Sequence, residues 1–179
     1  MGQREVEVEL YDYGIQNESS DIRAHVSVVN RKIYVYETAR GLEALSEVEG
    51  LKKVPAYQPG VDGKTAEGFL MPWDKITGLQ AVELPGKWGW DKFKKDLPTT
   101  EKGEMAVKCV LWALECGFFP LWISGKEENG MTLQIKGVDI IVCCNKHIQV
   151  KCDYNCGEKP NGTGNLFLQV SERNPLGKH

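Results

Sequence analysis

Nowhere among the 179 residues do eighteen apolar side chains follow one another, and the opening MGQREVEVEL carries no apolar run. A membrane helix needs about 20 such residues and a secretory leader a shorter apolar core. The expectation is a soluble, intracellular protein with no membrane partner. CxxC pairs are also missing. Cys143 and Cys144 are adjacent, and Cys109 and Cys116 fall in an apparent helix. Reduced thiols are therefore expected rather than disulfides. Cys144, His147, Cys152 and Cys156 keep a zinc-stabilised interaction domain as an alternative, since thiolates and an imidazole suit zinc.

A basic surplus is lacking too. The 22 Lys and Arg are set against 25 Asp and Glu, a net charge of −3. Tight non-specific binding to nucleic acid through charge is not expected, although a local basic rim can still meet phosphates. The imbalance sits in residues 1–50, with five basic against ten acidic side chains; residues 51–99 hold eight against six, and residues 100–179 nine of each. GVDGKT at residues 60–65 lacks the GxxxxGK[ST] spacing and is no phosphate loop.

What is present is enough chain for one domain, or for a core with an extension. Residues 1–98 read as an N-terminal α+β, loop-rich extension. Glu5 to Tyr13 alternates apolar and acidic residues as a strand does. Arg23 to Val29 and Lys32 to Glu37 flank Asn30-Arg31 as a hairpin, with a short helix from Gly41 to Val48. From Val54 to Pro98, Gly and Pro break the chain into ordered loops and short strands. Residues 99–179 read as the core. Thr99-Thr100 offers an N-cap to a helix over Glu101 to Cys116, with Ala106, Val107, Val110, Leu111 and Leu114 at helical spacing and Gly117 beyond. Strands are expected at Phe118 to Ile123, from Met131 or Gly137 to Cys143, at His147 to Asp153 and at Asn165 to Glu172.

The chemistry concentrates in KGVDIIVCCNKHIQVKCD, Lys136 to Asp153. Side chains on a strand alternate between two faces, so loop length decides what Asp139 meets. A three-residue loop of Asn145, Lys146 and His147 sets Cys143 opposite Gln149, Ile141 opposite Lys151 and Asp139 opposite Asp153. Asp139, Gln149 and Lys151 then share one face. A two-residue loop sends Asp139 to the other face unless a bulge restores it. A carboxylate, an amide oxygen and an ammonium on one face suit Mg²⁺ and a phosphodiester.

This pattern resembles the PD-(D/E)xK nuclease superfamily, in which an Asp near a strand end is followed, on the next strand, by an acid, any residue and Lys. Asp139 and QVK correspond, with Gln149 in place of the second acid, a departure that some members of the superfamily share. The resemblance covers about Thr99 to Glu172. It implies an α+β, restriction-endonuclease-like core, a helix followed by a mixed β-sheet, and a deoxyribonuclease acting on DNA with Mg²⁺ or Mn²⁺. Asp139 and Gln149 hold the metal on this reading, assisted by Glu104 from the preceding helix, and Lys151 serves the reaction. The family core continues with a further helix and strand, where only SERNPLGKH follows. The sheet is then completed by the N-terminal strands or by a second subunit in a homodimer, unless the chain is a fragment.

Two further stretches suggest substrate contacts. Trp88, Trp90 and Phe93 lie beside Lys92, Lys94 and Lys95, a basic-aromatic cluster able to stack on bases and touch phosphates; buried tryptophans with solvated lysines give the same pattern. Tyr154, Asn155 and Thr163 lie in the loop DYNCGEKPNGTGN, similar to the stretch after the Lys motif in several nuclease families, where TGN leads into a strand. For this loop a plain turn is the competing explanation. A catalytically lapsed, nuclease-like binding module remains the alternative to an enzyme.

Overall fold

The computed structural model describes residues 20–57, 65–84, 88–114, 120–123, 138–142 and 145–169. The chain is α+β. Strand β1 (Ile22–Ser27) turns through Asn30 and Arg31, the latter at φ 54°, into β2 (Lys32–Glu37). Helix α1 (Thr38–Glu47) follows directly. Strands β3 (Lys52–Tyr57) and β4 (Thr65–Pro72) form an antiparallel pair, and β5 (Gln80–Val82) is short. Helix α2 (Thr99–Leu114) leads to β6 (Pro120–Ile123), β7 (Ile140–Val142), β8 (Lys146–Asp153) and β9 (Asn165–Gln169). The strand expected at Glu5 to Tyr13 lies outside the described residues.

Six strands form one mixed sheet in the order β5-β2-β1-β8-β7-β6, and β3-β4-β9 form a second. Every pairing is antiparallel except β1 with β8. The N-terminal strands thus complete the sheet within one chain, and the expected division at 98/99 falls between strands of a single sheet. Strand β9, expected as the fourth strand of the core, pairs with β4 in the second sheet, from Gly68↔Gln169 to Pro72↔Asn165. The place beside β8 is taken by β1.

Strand alternation explains the layers. On one face, Ala24, Val26, Ile33, Ile140, Val142 and Ile148 pack against Ala106, Cys109 and Val110 of α2, which recur at helical spacing. On the other, Tyr36 joins Ala44 and Leu45 of α1, Phe69 and Met71 of β4, and Leu166 and Leu168 of β9. Gly41 permits this second contact, because a Cβ there would meet the Tyr36 ring at 2.5 Å. The six-stranded sheet therefore has cover on both faces.

Candidate functional site

The register of the β7–β8 hairpin differs from the expected one. Ile140 pairs with Ile148, Ile141 with His147 and Val142 with Lys146, so Lys146 and His147 are strand residues and the turn comes earlier. Asn145 takes the left-handed conformation at φ 59°, which a short polar side chain tolerates. His147 is held from the other edge as well: its N–H donates to Asp21 Oδ2 at 2.8 Å and its carbonyl accepts the Asp21 N–H at 2.7 Å. The shift is four residues. Because four is even, the face assignment survives it, and Asp139 comes beside Gln149 rather than Asp153.

Asp139 sits where β7 parts from β8. Its N–H donates to the Ile148 carbonyl at 2.8 Å, and its Oδ2 accepts the Val150 N–H at 2.7 Å. The carboxylate thus stands in for the main-chain carbonyl that a longer β7 would have offered. Gln149 lies between those two anchor points and is 3 % exposed. Its Oε1 is buried and accepts no hydrogen bond from any described residue. Such an atom ordinarily costs about 1–3 kcal/mol. Lys151, two residues on, shares this face and is half-buried.

The parallel strand β1 adds side chains that motif reading missed. Its register sets Arg23 beside Gln149, His25 beside Lys151 and Ser27 beside Asp153. All three are buried. His25, fully buried, lies 2.7 Å through Nδ1 from Asp153 Oδ2 and 2.7 Å through Nε2 from the Tyr36 hydroxyl. A carboxylate only accepts, so Nδ1 carries the proton, and in the neutral ring Nε2 accepts from Tyr36. The Ser27 hydroxyl lies 3.2 Å from both Asn30 Oδ1 and the Cys156 carbonyl. The available signal was polar Arg, His and Ser alternating with apolar residues in IRAHVS, which looks like an ordinary solvated face until the second layer covers it.

Other expected residues lie elsewhere. Glu104 is exposed on α2, and α2 covers the opposite face of the sheet from Gln149 and Lys151. The helix turns its apolar stripe to the strands and so carries Glu104 outward. Lys92, Lys94 and Lys95 are exposed. Phe93 is buried, with Trp88, Trp90 and Tyr154 packed around it at ring separations of 5.9, 5.7 and 6.4 Å. Tyr154 belongs to the α2 face, where Lys102 Nζ stands 4.6 Å above its ring. Asn155 and Thr163 are exposed and tied together, the Asn155 carbonyl accepting the Thr163 N–H at 3.3 Å. Thr163 Oγ1 accepts the Asn165 N–H, so both residues fasten the loop before β9.

Of the zinc alternative, Cys144 lies outside the described residues, as does Cys143. His147 and Cys152 point to opposite faces of β8, as residues five apart on a strand must. Cys109, Cys152 and Cys156 are free thiols. Burial pushes each up to about 12, reinforced by Cys152 for the first and by Asp153 for the other two. Among the described residues, no three His, Cys, Asp or Glu side chains form a group that could hold a metal ion.

The hairpin register carries two oxygen donors on one face, the Asp139 carboxylate and the Gln149 amide oxygen, which has no donor among the described residues. That set fits Mg²⁺, which usually takes one or two protein oxygens and completes its shell with water and phosphate. No helix among the described residues is long and apolar enough to cross a membrane. No family model matches the chain, and no curated protein or solved structure matches it.

Proposed function

We propose that this chain is a metal-dependent nuclease that hydrolyses DNA phosphodiesters at the β7–β8 hairpin. The observation that carries the reading is the buried Gln149 oxygen, which has no donor among the described residues, on the strand face that Asp139 and Lys151 share. An acceptor left without a donor in the interior is satisfied by a buried water, a cation or a donor on a ligand. Asp139 and Gln149 would hold Mg²⁺ or Mn²⁺, which supplies positive charge to a phosphate and acidifies bound water. Lys151 brings a cation to the same face, able to stabilise the charge that grows on the phosphate oxygens as water attacks phosphorus. The Val150 N–H fixes the Asp139 carboxylate, so its position does not depend on the metal. Support also comes from the order of elements, a helix followed by the β6-β7-β8 run, with a further strand supplied beside β8 from the N-terminal side. Glu104 has no role in this scheme.

One observation favours a second reading, a nuclease-like binding module without cleavage. Asp139 already serves the backbone, and Gln149 contributes no charge, which weakens the hold on a hard cation. The two readings separate in a cleavage assay on single-stranded, duplex and branched DNA with Mg²⁺ or Mn²⁺. Asp139→Asn and Lys151→Ala should each lose at least about 100-fold in rate, about 2.7 kcal/mol of transition-state stabilisation, and only Asp139→Asn should also weaken Mg²⁺ binding. Absence of cleavage by wild type, unrescued by Gln149→Glu, leaves the binding module.

A further inference from the structure

A cleft of about 520 Å³ opens at the β1–β2 turn, away from the hairpin residues. Two indoles, Trp88 and Trp90, line it, with Arg31, Lys32, Glu83 and Asp91 around them. The indoles are half-buried and meet edge to face at 5.7 Å, and buried Phe93 backs both. They are therefore held in place by the core while keeping part of their surface open. Of the four charges, Lys32 and Glu83 answer one another at 3.5 Å. Arg31 and Asp91 are exposed, one cation and one anion among the described residues that line this aromatic pocket.

We infer that this cleft takes an unpaired nucleotide of a single-stranded nucleic acid. The choice of ligand rests on the phosphodiester reading of the hairpin, and it deepens that reading by naming single-stranded or locally unpaired DNA as the substrate class. Every base has a π-face that an indole can stack on, whatever the sequence. A nucleotide brings one phosphate for Arg31 and, on most bases, an N–H edge that the Asp91 carboxylate can accept from. Its phosphate and the N–H edge of its base are complementary to Arg31 and Asp91, the exposed charges among the described lining residues. A cationic peptide would face Arg31, and an acidic one would face Asp91. In a duplex the bases are paired and stacked on one another, so their faces do not reach the indoles. Exposed Lys92, in the same turn as Trp90 and Asp91, offers the next phosphate a contact.

The test is equilibrium binding by the full chain, in EDTA so that cleavage does not intrude, of a short single strand and of a blunt duplex of the same sequence. The single strand should bind more tightly and quench tryptophan fluorescence. Trp90→Ala should weaken single-strand binding about tenfold and Trp90→Phe far less. Arg31→Ala, an exposed change that leaves packing alone, should weaken it and flatten its salt dependence. Equal affinity for the two DNAs, with Arg31→Ala and a folded Trp90→Phe indistinguishable from wild type, overturns the inference. So does quenching by an oligolysine peptide with the single strand inert, which would assign the cleft to a cationic partner. Single-strand binding without cleavage at any metal concentration would sink the nuclease reading and leave the cleft standing. Cleavage that ignores strandedness, with an unaltered Arg31→Ala, does the reverse.

Discussion

On one face of the six-stranded sheet β1 presents Ile22, Ala24 and Val26, and β8 presents Ile148, Val150 and Cys152. On the other face the same two strands present Arg23, His25 and Ser27 against Gln149, Lys151 and Asp153. Both faces are covered, the first by α2 and the second by the layer that contains α1 and β4. Only the apolar face gains from its cover by removing hydrocarbon from water, at about 25 cal/mol per Å². The polar face must find a partner for each group it buries, and an unmet group costs stability. His25, Asp153 and Tyr36 meet that demand among themselves, whereas the Gln149 oxygen finds no donor among the described residues. Trp73 Nε1 is likewise buried without a described partner, so what marks Gln149 is the strand face it shares with Asp139 and Lys151.

The largest expected break in this comparison is His25→Ala. It strips a hydrogen-bond partner from buried Asp153 and from Tyr36 together, and each buried polar group left unsatisfied costs about 1–3 kcal/mol. Ile140→Val on the apolar face removes one methylene and should cost about 0.5–1.5 kcal/mol. Urea unfolding of the two variants, with equal slopes, measures the difference; similar losses would show that the polar network adds no more than packing.

Gln149→Glu sharpens the site itself. It places a carboxylate in a buried position beside Asp139 and in register with Arg23. Without divalent metal the variant should melt below wild type, since like charges then adjoin in the interior. Saturating Mg²⁺ should raise its midpoint more than it raises wild type's, with a gain of about 2.7 kcal/mol at 100-fold excess over Kd. A variant whose melting ignores Mg²⁺ would point to Arg23 as the partner of the new charge and not to a metal.

The three described thiols make a smaller, pH-dependent contribution. Their ordinary value of 9.0 rises on folding, so the unfolded chain ionises first and stability falls as pH climbs from about 9 towards 12. Below that window they are neutral in both states and stability is unaffected by them. At pH 8 Cys109, Cys152 and Cys156 should react slowly with iodoacetamide, with full reactivity only in denaturant; fast labelling of native protein would contradict their burial. The smallest effect belongs to Glu104→Ala. An exposed position with no described contact to the site should change stability by less than about 0.5 kcal/mol and leave cleavage intact. A large loss of cleavage would return Glu104 to the metal site.

Local structure was legible where it has a local cause. The apolar spacing of α2 and the Asn30-Arg31 turn placed a helix and a hairpin to within a few residues of where they stand. The β7–β8 register was misjudged by four residues because Lys146 and His147, polar enough for a turn, are drawn into the strand by bonds to Val142, Ile141 and Asp21. Asp21 is remote in sequence, and no turn signal records it.

What the sequence by itself determined is therefore the short-range part: period 3.6 for α2 and period 2 for β1 and β8, while the parity that keeps Asp139 on the face of Gln149 and Lys151 came with the three residues between Val142 and Lys146. Tertiary structure alone decided that β1 lies parallel to β8 with more than a hundred residues between them, bringing Arg23 and His25 beside Gln149 and Lys151. It also decided that β9 leaves for the second sheet and that Glu104 faces solvent. The physical reason is that a parallel pairing needs no connecting turn, so nothing local announces it, and the pair is selected only when whole apolar faces close on their partners.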